Sequence, residues 1–172
     1  MTVRTHLVFA ILTGVVGWSC FGCKQADEGD AAFRSEAKSS AQGELRILQA
    51  WSGDYPVDQL DKLPTGQGEV RVGYIGNSKT FTQMWQVFKP KVKIPEVNFR
   101  EEIVLFSRNI EFYNRTSIQQ VKLSDGVAEI IAMETRSARP IEKHVAMALA
   151  VVPRADVKFI KVGDKRRAVE AP

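Results

Sequence analysis

The sequence predicts an α+β fold, with an antiparallel sheet or half-open barrel of about seven strands packed on one main helix. Most of its apolar segments alternate with a period of two, the spacing of a strand with one buried face. One segment, from Thr80 to Phe88, instead repeats at the helical spacing. Of the 172 residues, the 128 from Leu45 onward are enough for a single hydrophobic core.

The first 23 residues have the build of a secretory signal peptide. Arg4 gives a positively charged N-terminal region, an apolar run extends from Leu7 to Trp18, and small residues precede a cysteine. A leader that ends on cysteine resembles a bacterial lipoprotein signal, in which that cysteine becomes the acylated N-terminus. We therefore expect secretion across the inner membrane and a lipid anchor in the bacterial cell envelope, on the periplasmic side or the surface.

Cys23 is the predicted lipidated residue, because the polar segment then starts immediately afterwards at Lys24. Cys20 is the alternative. A leader that remains uncleaved as a membrane anchor is a further alternative, although an apolar stretch of about 17 residues is at the short limit for a span. The domain that follows contains no cysteine, so neither disulfides nor thiolate metal sites are expected in it.

Residues 24–43 are predicted to be a flexible acidic tether, since their small and charged residues bury too little apolar area to fold. The predicted domain spans residues 44–163, and a disordered basic tail, residues 164–172, follows it.

From Leu45 onward there are 20 Lys and Arg against 15 Asp and Glu, a difference of five positive charges. This balance fits an anionic partner or surface, or solubility alone.

Seven segments of the domain have strand character. The run from Glu102 to Ser107 is almost continuously apolar, which indicates a strand covered on both faces. Asp125-Gly126 lies between two alternating segments and predicts a hairpin. The predicted strands are 45–51, 70–75, 102–107, 117–123, 127–133, 144–152 and 157–162.

The helix is predicted to begin at Thr80, whose spacing to Gln83 fits a capping box, and to end before Pro90. Four apolar residues at i, i+3, i+4 and i+7 form one stripe, which is Phe81, Met84, Trp85 and Phe88. Packing against a sheet is the favoured interpretation of this stripe. A cofactor pocket is the alternative.

The domain contains no common catalytic motif. The sequence has neither a Gly-x-Ser-x-Gly elbow nor a phosphate-binding glycine loop. His144 is the single histidine of the domain and is expected to be half-buried in a strand rather than a metal ligand. We predict a protein that is not an enzyme and has no cofactor, no metal and no nucleic-acid partner. A hydrolase would need a convergent pair such as Glu134 with His144.

The most unusual segment runs from Ser107 to Thr116 and joins two apolar strands with arginines, asparagines and adjacent aromatic residues. Such residues are enriched in protein interfaces. A hairpin whose aromatic residues fold back on the core is the alternative. The connection after Glu134 would lie at the same end of an up-and-down sheet and could complete a basic rim. The predicted partner-binding residues are Arg108, Asn109, Phe112, Tyr113, Arg115, Arg136 and Arg139.

Several short motifs, in the order found here, resemble the C-terminal domain of the protease complex subunit PrcB. They are Trp51-Ser52-Gly53, the helical motif Thr80-Phe81-Thr82-Gln83-Met84-Trp85, the segment Ile94-Pro95-Glu96-Val97-Asn98-Phe99 and the apolar strand after it. The similarity would span about Leu45 to Val162. It departs from the family at Asn98, where the family usually has Asp, and at Arg108 to Arg115, where the family tends to be glycine-rich.

The resemblance implies a lipid-anchored subunit that associates with a protease and stabilises it. Together with the leader it predicts a non-catalytic, lipid-anchored cell-envelope domain that binds or stabilises a partner protein. The alternative is an envelope protein that binds or senses a small anionic ligand held by arginines above an apolar cavity. A closed pocket beside Trp85 and Arg108 would favour that alternative, and a solid core there would count against it.

Overall fold

The structure is a computed structural model that describes residues 42–109, 114–136 and 143–171, apart from the side chains of Asn114 and Arg136. Both cysteines of the leader and the tether up to residue 41 lie outside these ranges. The described residues form a 3-10 helix, Val57–Lys62, and an α-helix, α1, Ser78–Phe88. Their strands are β1 Gly43–Leu45, β2 Gln49–Pro56, β3 Val72–Ile75, β4 Glu102–Asn109, β5 Asn114–Ser124, β6 Val127–Arg136, β7 His144–Pro153, β8 Phe159–Val162 and β9 Lys165–Ala168.

The strands form two sheets. One has five strands in the order β1-β5-β6-β8-β9, and the other has four in the order β2-β7-β4-β3. Neighbouring strands are antiparallel except for β6 and β8, which are parallel. The predicted α+β class, with a mainly antiparallel arrangement packed on one main helix, is confirmed. The sheets remain open rather than closing into a barrel.

The described residues contain nine strands, two more than the predicted number. The predicted strand 45–51 is divided between the sheets, since β1 ends at Leu45 and β2 begins at Gln49. The second additional strand is β9, which lies in residues 164–172, where a disordered tail was predicted. Gly163 has φ 60°, which lets the chain turn back so that β9 pairs with β8.

The four-stranded sheet lies between the five-stranded sheet and the helix, which gives three layers. In β4, Val104 and Phe106 contact the helix side, whereas Ile103 and Leu105 contact the five-stranded sheet. All four are completely buried, as predicted for a continuous apolar strand. The same alternation runs along β7, whose alanines face the five-stranded sheet and so let the two sheets approach closely.

The stripe of α1 packs on this middle layer as predicted, with all four of its apolar residues buried. The helix nevertheless begins earlier than predicted. Asn77 is the N-cap, and its Oδ1 accepts a hydrogen bond of 2.9 Å from the backbone N–H of Thr80. Thr80 therefore lies inside the first turn, and the predicted cap at this residue is wrong. The helix ends at Phe88, before Pro90 as expected.

The hairpin between β5 and β6 turns at Asp125-Gly126 as predicted. Both residues have positive φ, 52° and 77°, as a type I′ turn requires. We call this the turn end of the domain. The chain enters β1 close to it, because Gly43 pairs with Leu123.

The opposite end, which we call the open end, carries the ends of the strands that flank both predicted recognition connections. Asn114 pairs there with Arg136, and Asn109 pairs with Ala146. A hydrogen bond of 3.1 Å from Asn109 Nδ2 to Glu134 Oε2 joins the two sheets at this end. The open end is therefore separated from the point where the tether enters by the length of β5, roughly 30 Å for a strand of this size.

Candidate functional site

The position of Arg108 contradicts its prediction as a partner-binding residue. Its side chain is 0% exposed, and it lies on the helix-facing side of β4 together with Val104 and Phe106. Its Nε donates to the carbonyl oxygen of Val70 at 2.6 Å. Its Nη2 donates to the carbonyl oxygens of Gln67, at 3.0 Å, and Gly68. Arg108 therefore fastens the loop before β3 and is not available to a partner.

Burial also determines the electrostatics around Arg108. Desolvation lowers the pKa of its guanidinium to about 10, and the nearby Tyr55 opposes this change. Its Nη1 is buried without a hydrogen-bond partner among the described residues. The guanidinium lies 5.9 Å from the centroid of the Phe106 ring, so the cation interacts with an aromatic face and with backbone carbonyls.

Asn109 is also buried, with 4% of its surface exposed, which corrects its prediction as a free contact residue. Its amide binds Glu134, which also accepts two hydrogen bonds from Arg71 Nη2, at 3.0 Å and 3.3 Å. This network ties β4 and the loop before β3 to the inner face of β6. Among the described residues, the hydrogen bonds of Glu134 come from Arg71 and Asn109 and not from His144. His144 is exposed at the start of β7 rather than half-buried as predicted.

Arg115 is the predicted contact residue that the described structure leaves exposed. It lies on the outer face of β5 and pairs with Thr135. Phe112, Tyr113 and Arg139 lie outside the described residues, and Arg136 is described only by its backbone at the end of β6. Two arginines of the predicted rim therefore differ in position: Arg115 is exposed at the open end, and Arg108 is buried in the interior.

A cleft of about 460 Å³ opens beside Arg115, between one edge of each sheet. We call it the β2–β5 cleft. Its two walls are stretches of consecutive residues, Ser52, Gly53 and Asp54 on β2 and Arg115, Thr116 and Ser117 on β5. Two residues of β6, Met133 and Thr135, extend it over the outer face of the five-stranded sheet.

Two features of the cleft suit the binding of another molecule. Met133 is 57% exposed and places a flexible, polarisable apolar side chain at the cleft. Thr116 is 1% exposed, and its Oγ1 has no hydrogen-bond partner among the described residues. Buried hydroxyls are normally satisfied, so an unpartnered one that lines a cleft is a group that a bound molecule can complete.

The sequence gives little indication of this cleft. Ser52, Gly53 and Thr116 are ordinary strand residues, and only the packing of the two sheets brings them to one cleft. The interior position of Arg108 was predictable from the sequence, because extending the alternation of β4 by two residues places Arg108 on the same face as Val104 and Phe106.

Trp85 lies in a packed aromatic cluster, and the groove of about 470 Å³ that borders it beside Trp51 and Val92 is open to solvent rather than closed. Trp85 is 1% exposed, and its Nε1 donates to the carbonyl oxygen of Val92 at 3.0 Å. Its ring lies 4.9 Å from that of Trp51, 5.6 Å from Phe81 and 6.1 Å from Phe88, measured between centroids. This packing counts against a small ligand held beside Trp85, and it fits the interpretation of the helix stripe as core.

Within the described ranges, no three His, Cys, Asp or Glu side chains come together as a metal site would require. In the same residues, no helix has the length and apolarity needed to cross a membrane. Comparison of the chain with protein-family models, with curated proteins and with solved structures finds no match. The resemblance to the PrcB C-terminal domain therefore rests on the short motifs of the sequence.

Proposed function

We propose that this chain is a non-catalytic, lipid-anchored domain of the bacterial cell envelope that binds or stabilises a partner protein. The observation that carries the proposal is the β2–β5 cleft at the open end, with its exposed Met133 and a Thr116 hydroxyl that has no partner in the described part of the chain. An arginine beside an exposed apolar side chain is a combination enriched in protein interfaces.

The position of the cleft supports a protein partner over a membrane surface. The tether enters the domain at the turn end, where Gly43 pairs with Leu123, whereas Arg115 and Thr116 lie toward the opposite end of the same strand. A domain anchored through Cys23 and this tether would therefore carry its cleft on the side away from its own anchor. The PrcB resemblance makes a protease one candidate partner.

The test is an affinity pull-down from native membranes with the tagged, lipidated chain, followed by mass spectrometry. We expect one protein to be retained in stoichiometric amount. Arg115→Ala should reduce its recovery, and Tyr113→Ala combined with Arg115→Ala should abolish it, while the circular dichroism spectrum and the melting temperature stay unchanged.

Lys122→Ala is the matched control, because Lys122 is an exposed cation on the same strand near the turn end. Its recovery of the partner should equal that of the wild-type chain. A chain that returns alone, or one whose partner is retained equally by the Arg115 variants, would count against the proposal. Replacing Cys23 by Ser should remove the lipid and release the protein from the membrane fraction.

A further inference from the structure

The walls of the β2–β5 cleft indicate that it follows strand edges. Successive side chains of a strand point to opposite faces, so a cavity over one face touches every second residue. This cleft instead touches three consecutive residues of β2 and three of β5. It therefore runs beside the two strands, where their backbone N–H and C=O groups point.

Both edges lack a strand partner at this place. Among the described residues, β2 is the outermost strand of its sheet and pairs with β7 alone. The pairing of β5 with β1 stops at Val121, so within the described residues 114–120 pair only with β6. Unpaired edges of this kind are templates for the addition of another strand.

Side-chain hydrogen bonds show which backbone groups point into the cleft. The Oγ1 of Thr135, on β6, donates to the carbonyl oxygen of Arg115 at 3.4 Å, so that carbonyl points toward β6. Because alternate residues of a strand direct their polar groups to opposite edges, those of Thr116 point to the cleft. On β2, the carbonyl oxygen of Ser52 accepts from Lys89 Nζ at 2.8 Å, a displaceable side-chain donor.

The side chains around these edges define the chemistry of an occupant. The guanidinium of Arg115 suits a carboxylate on the β5 side of the cleft, across from the wall that carries Asp54. The exposed thioether of Met133 suits an apolar side chain. From Leu45 onward the chain has five more basic than acidic residues, which also favours an acidic occupant.

We propose that the β2–β5 cleft binds an extended segment of the partner protein by strand addition. The segment pairs its backbone with β5 at Thr116, places a carboxylate at Arg115 and lays an apolar side chain on Met133. Thr116 Oγ1 receives its missing hydrogen bond from the segment. This inference rests on the proposed function, since it specifies how the partner is held.

The experiment selects binders for the full-length chain, held in lipid nanodiscs, from a random library of phage-displayed 12-residue peptides. We expect enriched peptides that carry Asp or Glu two positions from an apolar residue, the spacing of side chains on one face of a strand. Their affinity should fall at least tenfold in Arg115→Ala and in Thr116→Val. It should be unchanged in Lys122→Ala and in Thr65→Val, which alters an exposed threonine in a loop.

Amide hydrogen exchange separates strand addition from other modes of binding. An enriched peptide should slow exchange at residues 114–120 and leave the turn end unchanged. Peptides that bind without slowing these amides, peptides that bind both variants as well as the wild type, or a library without enrichment would each overturn the inference.

Two other occupants of the cleft would each give a distinct experimental result. Either result would contradict the binding of a partner segment. If deleting residues 24–41 raises peptide affinity, the tether of this chain occupies the cleft. If the chain dimerises and Thr116→Val abolishes the dimer, a second copy occupies it. A partner retained in the pull-down but insensitive to Thr116→Val would overturn strand addition alone, whereas peptide binding without a captured partner would count against the proposed function alone.

Discussion

The Nε of Arg108 donates a hydrogen bond of 2.6 Å to the carbonyl oxygen of Val70, 38 positions earlier in the chain. This bond joins the central strand β4 to the loop that leads into the edge strand β3. The Nη2 bonds of Arg108 reach the same loop at Gln67 and Gly68. A buried guanidinium thus satisfies carbonyl groups of a loop segment that water would otherwise have to solvate.

Replacing Arg108 with Met should destabilise the domain by about 3 kcal/mol, because buried carbonyls would lose their donor. Urea unfolding of the purified chain measures the change. Arg115→Met is the control, since it alters an exposed arginine of the neighbouring strand and should change stability by less than about 0.5 kcal/mol. Equal midpoints for the two variants would show that the loop does not depend on Arg108.

Gly73→Ala should cost about 2 kcal/mol, in the range for overpacking a core. A Cβ at Gly73 would collide with Gln67 Oε1 and would lie 2.5 Å from Cζ of Phe106. Gln67 cannot simply move away, because its Oε1 accepts a hydrogen bond of 2.8 Å from the backbone N–H of Tyr74. Thermal unfolding should show the loss. Gly43→Ala, whose Cβ meets nothing within 4 Å, should leave the melting temperature nearly unchanged.

Stability should decrease above pH 10 because of Tyr55. Burial, followed by the charge of Asp61, raises the pKa of its phenol well above the ordinary value of 10. The folded state then binds the proton more strongly than the unfolded state. This contribution is complete below pH 10 and is lost as the pH rises, by up to about 1.4 kcal/mol per pH unit.

The measurement is urea unfolding of the wild type and of Tyr55→Phe between pH 8 and pH 11. Arg108 contributes with the opposite sign above pH 10, since its pKa is lowered, and Tyr55→Phe shows the pH dependence without the phenol and without its charge beside Arg108. The wild type should lose stability relative to Tyr55→Phe as the pH rises above 10. Parallel curves would contradict the raised pKa of Tyr55.

Removing residues 164–172 should destabilise the domain by about 3 kcal/mol, the sum of several lost hydrogen bonds. The segment contains β9, and Arg167 Nη2 donates to the carbonyl oxygen of Gly66 at 2.6 Å. The backbone N–H of Glu170 donates to the Tyr74 hydroxyl at 3.1 Å. Chemical denaturation tests the change, with deletion of residues 171–172 as the control. Unchanged stability after the longer deletion would restore the prediction of a disordered tail.

Local pattern was enough to predict the elements that build the core. The apolar run of β4, the stripe of α1 and the Asp125-Gly126 turn each follow from residue types at fixed spacing, which the tertiary structure does not alter. The capping of α1 was less predictable. Asn77 and Thr80 are both good N-cap residues, and the choice between them depends on where the chain enters from β3.

The candidate site was predictable only in part. The sequence indicated that two polar connections lie at one end, and the strand ends that flank them meet there. It could not show that Arg108 is buried by a loop from another part of the chain, or that Asn109 is bound to Glu134. Burial of a charged side chain depends on which backbone groups surround it, and these come from residues distant in sequence.

By itself, the sequence determined the α+β class, the covered strands, the single helix stripe and the hairpin, because each depends on the order of neighbouring residues. The tertiary structure alone decided which strand edges stay unpaired within the described ranges, and therefore where the β2–β5 cleft opens and why Thr116 finds no partner among those residues. The physical reason is that a strand edge is satisfied or left free by strands far away in the chain. Their register is a property of the assembled sheets and not of any one segment.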